Sequence, residues 1–303
     1  MSSNARIAVV GCGLIGQSWA ALFACHGYDV NAWDPSPAAF DGFADHIEKA
    51  RGQVRSMRSA ERAEGSVHVV RSLDEAVSEA CWIQENAPES VELKTELYRR
   101  IERAAPVEAV VASSTSSLRW SELAPGFERP GRFITAHPFN PPHLMPLVEI
   151  YAAEAGVLRR AVDFYQRLER EVVVLRRDAT GHIANRLQSA LWREALNILQ
   201  EDIADVEAID RALVHGPGLR WSVVGACMAS HLGGGPGGIH HYLKHLGPSQ
   251  ERRWASLGSP KLTAELCTKL ADGVLLASGG RTVEQLEGER NDRLMRVIAA
   301  RKP

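Results

Sequence analysis

The chain is short of nearly everything that would place it outside the ordinary soluble globular class. It has five cysteines in 303 residues, Cys12, Cys25, Cys81, Cys227 and Cys267, and no two form a C-x-x-C pair. An odd, scattered set argues against a disulfide framework or a zinc ribbon and fits reduced thiols in a cytoplasmic protein. All five are expected as small buried hydrophobes. There is no charge surplus: 35 basic against 37 acidic residues give a net charge of −2. That balance points to neither nucleic acid nor an anionic membrane as partner. No apolar run is long enough to span a bilayer. Met1–Arg6 leads straight into an apolar strand, without the apolar core and cleavage site of a secretory signal. His231, His240, His241 and His245 lie close in sequence, but no carboxylate or cysteine spacing accompanies them. No metal is expected there.

Strand and helix patterns alternate through the first half. Arg6–Val10 (RIAVV) is a short apolar strand. A glycine-rich turn follows, then a helix carrying Trp19, Ala20, Leu22 and Phe23, which Gly27 ends. Tyr28–Trp33 is a second strand, completing a βαβ unit. Residues 36–64 read as a polar helix. Further strands are expected at Val67–Val70, Cys81–Glu85, Val107–Ala112, Arg132–Ala136, Val148–Tyr151 and Val172–Leu175. Strands alternating with helices predict a largely parallel sheet covered on both faces. The character changes after Thr180, and His182–Leu199 becomes a long amphipathic helix pattern with few strand signals beyond it. Gly233–Gly238, five glycines and a proline, is expected to be irregular. The fold class is therefore α/β: a Rossmann-type, mostly parallel sheet domain over residues 1–179, then an all-helical C-terminal domain over 180–303.

Gly11-Cys12-Gly13-Leu14-Ile15-Gly16 is a G-x-G-x-x-G set between a strand and a helix. Gly11 permits the tight turn, Gly13 leaves room for a pyrophosphate, and Gly16 lets helix and strand approach. The helix start supplies free N–H groups to phosphate oxygens. Asp34 follows 18 residues after Gly16, where a carboxylate accepts hydrogen bonds from the adenosine ribose and repels a 2′-phosphate. No basic residue stands in the following Pro35–Ala39. The cofactor is therefore read as NAD rather than NADP.

His137 opens His137-Pro138-Phe139-Asn140-Pro141-Pro142, and Glu149 follows in Leu147-Val148-Glu149-Ile150. Both fall at predicted strands near the carboxyl edge of the sheet, where open α/β sheets bind ligands. Removal of a hydroxyl proton suits an imidazole, and a carboxylate on its second nitrogen fixes the tautomer. On spacing alone, a structural histidine and a surface carboxylate fit equally well.

Taken together, these motifs resemble the L-3-hydroxyacyl-CoA dehydrogenase superfamily. The likeness rests on Gly11–Gly16, Ser114-Thr115-Ser116-Ser117-Leu118, His137-Pro138-Phe139-Asn140-Pro141, Leu147-Val148-Glu149 and Gly181-His182-Ile183-Ala184-Asn185-Arg186-Leu187, all in family order. The resemblance implies that His137 is the general base, oriented by Glu149, and that Ser116 and Asn185 hold the reacting oxygen. It also implies cofactor contacts from Leu14, Ile15, Glu89, Lys94 and Asn140, and a homodimer formed through the helical domain. Asn185-Arg186-Leu187-Gln188, Gly216-Pro217-Gly218-Leu219-Arg220-Trp221 and Glu289–Leu294 are similar to the lambda-crystallin branch, which includes L-gulonate 3-dehydrogenase. Ala190–Leu196 and His231–Gly238 look more like the carnitine dehydrogenase branch. His182 departs from the pattern, since an aromatic is common after that glycine.

The resemblance implies oxidation of the 3-hydroxyl of a small L-3-hydroxy acid. Asn185, Gln188, Ser189 and Trp192 share one helix face at i, i+3, i+4 and i+7. Gln188 and Ser189 are candidates to line the substrate site, and Trp192 is either a lining or a core residue. Arg220 is either a bidentate partner for a substrate carboxylate or a surface ion-pair partner. Two other readings stand beside the first. An acyl-CoA enzyme would need a basic groove, and Arg51, Arg55, Arg58 and Arg62 recur at helical spacing. A crystallin-like structural protein would bind NAD without turnover, against which the intact Ser116, His137, Glu149 and Asn185 set argues.

Overall fold

The structure is a computed structural model that describes residues 5–58 and 62–301. It divides into two compact units, one running to Arg186 and one starting at Leu187. The first is built on an eight-stranded sheet: β1 (Arg6–Val10), β2 (Asp29–Trp33), β3 (Val67–Val69), β4 (Ala80–Glu85), β5 (Val110–Ser113), β6 (Phe133–Pro138), β7 (Leu147–Tyr151) and β8 (Glu171–Val174). The order is β3-β2-β1-β4-β5-β6-β7-β8. Every neighbouring pair is parallel except β6 and β7. The helices of this unit are α1 (Leu14–Cys25), α2 (Phe43–Ser56), α3 (Leu73–Val77), α4 (Val91–Ala104), α5 (Trp120–Leu123) and α6 (Ala155–Arg167).

Both faces of the sheet are covered, and β1 shows why its sequence is a continuous apolar run. Ile7 and Val9 enter one core with Trp19, Phe23, Phe164 and Tyr165. Ala8 and Val10 enter the other with Tyr98, Phe127 and Phe133. Successive side chains point to opposite faces, so a doubly covered strand must be apolar at every position. Trp82 of β4 stacks on Phe164 of α6 at 3.9 Å between ring centroids. All eight strands fall within a few residues of the expected places. β5 starts later than Val107, because the Ala109 amide turns back onto the Pro106 carbonyl.

The helix expected over 36–64 is corrected. A 3₁₀ turn occupies Pro37–Phe40 and α2 stops at Ser56; residues 59–61 of that span lie outside the described residues. To begin β3 parallel to its neighbour β2, the chain must return to the end of the sheet where β2 starts. Its return is pinned where Glu64 takes Arg51 and Arg55 and the Gly65 amide reaches the Ala24 carbonyl.

The second unit holds most of α7 (Ala184–Gln200) and then α8 (Val206–His215), α9 (Pro217–Trp221), α10 (Ala226–Gly233), α11 (Gly238–Ser256), α12 (Ala264–Ser278) and α13 (Val283–Arg301). It has no strand among the described residues. The glycine-rich run is a 3₁₀ turn, Gly235–Gly237, between α10 and α11. The buried core of this unit is Leu196, Leu199, Val206 and Leu266. Large apolar side chains such as Trp254 (64% exposed), Val283 (75%) and Leu276 (84%) face outward. The expectation of five buried cysteines is also corrected. Cys12 and Cys25 are buried, but Cys227 on α10 and Cys267 on α12 are exposed. A core this small leaves most positions of these helices outside it.

Candidate active site

The turn after β1 is shaped by what surrounds its glycines. Gly11 has φ +89°, and a Cβ there would meet the Asn86 carbonyl at 2.8 Å. A Cβ on Gly16 would overlap the Gly11 carbonyl, whereas nothing stands within 4 Å of the Gly13 position. That opening lies at the start of α1, whose first turn carries no side-chain cap. Its free amides and dipole make an anion site beside Leu14, which is 67% exposed, and half-buried Ile15. Asp34 is fixed in front of it: Oδ2 accepts from the Cys12 amide at 2.8 Å and Oδ1 from the Ser36 amide at 2.8 Å. These residues fit a dinucleotide with free ribose hydroxyls. Burial, and then the Asp34 charge, push the Cys12 thiol up to about 12, so it stays protonated.

The sheet brings His137 and Glu149 together by register. They are directly opposite one another on the antiparallel pair β6 and β7, which places their side chains on the same face. His137 Nδ1 and Glu149 Oε2 are 3.0 Å apart, with the residues 4% and 1% exposed. The second carboxylate oxygen accepts from the Ile183 amide at 2.9 Å and the Ala184 amide at 3.0 Å. Burial acts to raise the Glu149 carboxyl, but the bonds from His137, Ala184 and Ile183 outweigh it and hold it below the ordinary carboxylate range. An ionised carboxylate only accepts, so the imidazole holds a proton on Nδ1, which makes Nε2 the accepting nitrogen of the neutral ring. Nε2 faces Asn185 Nδ2 at 3.4 Å, and the same amide donates to the Ser116 carbonyl at 3.0 Å. These bonds explain why Ala184–Arg186, the first turn of α7, belongs to the first compact unit. The rings of Phe139 and His182 flank His137 at 5.5 and 4.9 Å. Burial, then the neighbouring His137, lower the pKa of His182, which favours its neutral form.

Glu89 reaches the same loop. Thr115 Oγ1 donates to it at 2.8 Å, Ser116 Oγ donates at 2.9 Å, and the Ser116 amide donates as well. Lys94 is placed differently from a residue open to a ligand. It is 1% exposed, and its amine donates to Glu85 Oε1 at 2.6 Å and to the Ala87 carbonyl at 2.8 Å. Asn140 is exposed in the turn after β6. Gln188, Ser189, Trp192 and Arg220 belong to the second unit and are all exposed there. Trp192, at 51% exposure, is not a core residue of that unit. Arg220 has no ion-pair partner among the described residues.

Sequence reading missed Glu85 and Asn86. Asn86 Nδ2 lies 3.4 Å from the Gly11 carbonyl and its Oδ1 accepts from Ser114 Oγ at 2.7 Å. A signal was present, since Gln84-Glu85-Asn86 ends a strand that is apolar before it. Buried polar groups in such a strand need partners, and those partners lie in neighbouring loops. The arginine stripe is corrected. Arg58 and Arg62 lie beyond the end of α2. Arg51, Arg55 and Arg58 converge on Glu64, Arg55 also pairs with Glu48, and Arg62 pairs with Glu169.

The family model described as 3-hydroxyacyl-CoA dehydrogenase, NAD binding domain, matches residues 6–179. The corresponding C-terminal domain matches residues 181–269. A protein of Nocardiopsis dassonvillei named L-carnitine dehydrogenase is 41% identical, covering 99% of this chain and 95% of its own. One of the same name from Oceanobacillus iheyensis is 39% identical, covering 97% of each. Among solved structures, a 5-formyl-3-hydroxy-2-methylpyridine 4-carboxylic acid 5-dehydrogenase, described as an NAD+-dependent dismutase, superposes with a TM-score of 0.79. It is 25% identical and the match covers 99% of this chain and 100% of that one. With both domain models matched in order and relatives aligned end to end, the chain belongs to the 3-hydroxyacyl-CoA dehydrogenase family.

Proposed function

We propose that this chain oxidises the 3-hydroxyl of a free L-3-hydroxy acid, with L-carnitine as the foremost substrate. The observation that carries the chemistry is the buried His137–Glu149 pair, which keeps the proton on Nδ1 and leaves Nε2 as the accepting nitrogen, with Asn185 Nδ2 beside it. The choice of substrate rests on the relatives named L-carnitine dehydrogenase. His137 accepts the hydroxyl proton at Nε2, and Glu149 stabilises the imidazolium that forms. Asn185 Nδ2, already next to Nε2, donates to the reacting oxygen, and Ser116 stands beside it. NAD, when bound, supplies the hydride acceptor, held by the amides of α1 and by Asp34.

A free acid is favoured over a CoA thioester because each of the arginines after α1 is already paired with Glu48, Glu64 or Glu169. Arg220 is proposed as a partner for a substrate carboxylate, with Gln188, Ser189 and Trp192 as further candidates, all on the helical unit. A bidentate guanidinium fixes both distance and plane, which an ammonium does not. Arg220→Lys is therefore expected to lower kcat/KM by about 10–150-fold, the worth of a charge-assisted bond of roughly 1.5–3 kcal/mol. We also propose a cytoplasmic homodimer joined through the helical unit, supported by that unit's small core and outward-facing apolar side chains. No helix among the described residues is long and apolar enough to cross a membrane. The test is a panel of L-carnitine, L-gulonate, L-3-hydroxybutyrate and L-3-hydroxybutyryl-CoA, followed by NADH absorbance. Turnover of L-carnitine above the others is expected. Preference for the thioester would overturn the assignment.

A further inference from the structure

His143 lies in the connection from β6 to β7, residues 139–146, between the strand that carries His137 and the strand that carries Glu149. It is 7% exposed and reaches two helices. Its amide donates to Ser18 Oγ of α1 at 2.8 Å. Its ring meets the same hydroxyl, with Nδ1 2.7 Å from Ser18 Oγ. Nε2 lies 2.8 Å from Gln53 Oε1 of α2. In the neutral ring Nε2 donates to that oxygen and Nδ1 accepts from the hydroxyl, so each group has a partner of the matching kind. Ser18 is itself 4% exposed. Arg170, just before β8, holds the rest of the connection by donating to the Pro142 carbonyl at 3.0 Å and the Met145 carbonyl at 3.2 Å.

The tie joins two places that the sheet links only at a distance. β1 feeds the dinucleotide turn and β6 ends at His137-Pro138, with β4 and β5 between them. Three interstrand spacings make about 14 Å across the sheet. Ser18, by contrast, is on the same helix as the phosphate-binding start, about 6 Å along the axis from Leu14. α1 also packs toward β6 and β7 through apolar groups, since Trp19 and Phe23 share a core with Ala136 and Val148. That contact holds the layers together without direction. Two bonds from one residue to one hydroxyl set a defined position.

We propose that His143 is a positioning residue for hydride transfer: through Ser18 it sets where the connection after His137 stands against α1, and so where the base stands against the dinucleotide. Phe139, whose ring flanks His137 at 5.5 Å, lies in the same connection. A misplacement of about 1 Å at a reacting centre costs on the order of a hundredfold in rate. The inference rests on the reading of His137 as the base and of the Gly11–Gly16 turn as the NAD site.

The test compares three variants of the full chain. His143→Phe keeps a buried ring without its ring bonds, Ser18→Ala removes one oxygen at the other end of the tie, and the third variant combines them. NAD sites are counted by titration. The first turnover is then followed by NADH absorbance at saturating NAD, with whichever of L-carnitine, L-gulonate and L-3-hydroxybutyrate the unmodified chain oxidises fastest. The rate is expressed per NAD site. We expect NAD Kd to stay within a few-fold of the unmodified value and the rate per site to fall by about 10–100-fold in each single variant. Both changes break one tie, so the combined variant should fall no further than the slower single one. A merely structural role would lower the melting temperature or the number of NAD sites and leave the rate per site unchanged, which overturns the proposal. Losses that multiply in the combined variant would show two independent effects and overturn it as well. Ser18→Ala leaves the connection itself unaltered, so it decides alone if His143→Phe does not fold. An unmodified chain that oxidises none of the three acids removes the reading of His137, and this proposal with it, before any variant is made.

Discussion

Glu149→Gln is nearly isosteric, so its effect isolates the charge and hydrogen-bond direction at one buried position. The carboxylate accepts from three groups: His137 Nδ1 at 3.0 Å and the Ile183 and Ala184 amides at 2.9 and 3.0 Å. A carboxamide has one accepting oxygen and one donating nitrogen. If the oxygen stays with the two amides, the new N–H₂ faces Nδ1–H, donor against donor. The imidazole then moves its proton to Nε2, where the base is needed, and the lone pair turns toward position 149. If the carboxamide flips, two buried amides lose their acceptor, at about 1–3 kcal/mol each. The first arrangement costs less. A triad carboxylate changed to its amide loses about 10⁴ in kcat by the same tautomer error. Here Asn185 Nδ2 still stands near Nε2, and we expect a fall in kcat milder than the about 10²–10⁴ that goes with losing the general base itself. The assay pairs steady-state NADH formation with NAD titration, because the dinucleotide turn lies elsewhere and NAD Kd should hold. Unchanged kcat in a folded Glu149→Gln protein would refute the tautomer argument.

Other consequences follow from the same geometry. Asp34→Ala should weaken NAD binding and narrow the gap between NAD and NADP, and equal kcat/KM for the two cofactors in the unmodified protein would contradict the role given to Asp34. The Glu149 carboxyl is held below its ordinary range in the folded chain, so the unfolded chain binds the extra proton first as pH falls. Its contribution to stability is present above the ordinary carboxylate pKa, about 4.3, and is lost as pH drops through the lower folded value. Melting temperatures followed from neutral to acidic pH should therefore decline less steeply in Glu149→Gln than in the unmodified chain. A thiol reagent at neutral pH should label Cys227 and Cys267 first, with Cys12 protected by burial and by a pKa near 12; fast labelling of Cys12, read by peptide mass, would be inconsistent with the fold. Light scattering should report a dimer at micromolar concentration, and a stable monomer would count against an interface on the helical unit.

Much of the sheet was legible because its physics is local. A doubly covered parallel strand has to be apolar throughout, and β1 reads that way at a glance. The dinucleotide turn was legible for the same reason: three glycines and an aspartate, each answering a local steric or hydrogen-bonding demand. The His137–Glu149 pair was named through the family resemblance, but spacing alone left it open, since their meeting depends on the register of β6 against β7. Glu85 escaped because its four donors come from the following loop, α4 and β5, and no spacing in the sequence brings them together. The end of α2 was misjudged because Arg, Ala and Glu favour helix wherever they stand. The need to carry the chain back to β3, pinned by Glu64, overrode that preference. In the second unit, helical periodicity was evident, but it did not tell which positions a small core would leave exposed.

The central claim is that His137 is the base of an NAD-dependent oxidation. The most direct measurement is the turnover of His137→Ala on L-carnitine beside its NAD affinity. We expect kcat to fall by about 10²–10⁴ while the Kd for NAD stays close to that of the unmodified chain. A folded His137→Ala protein with near-normal kcat would contradict the account.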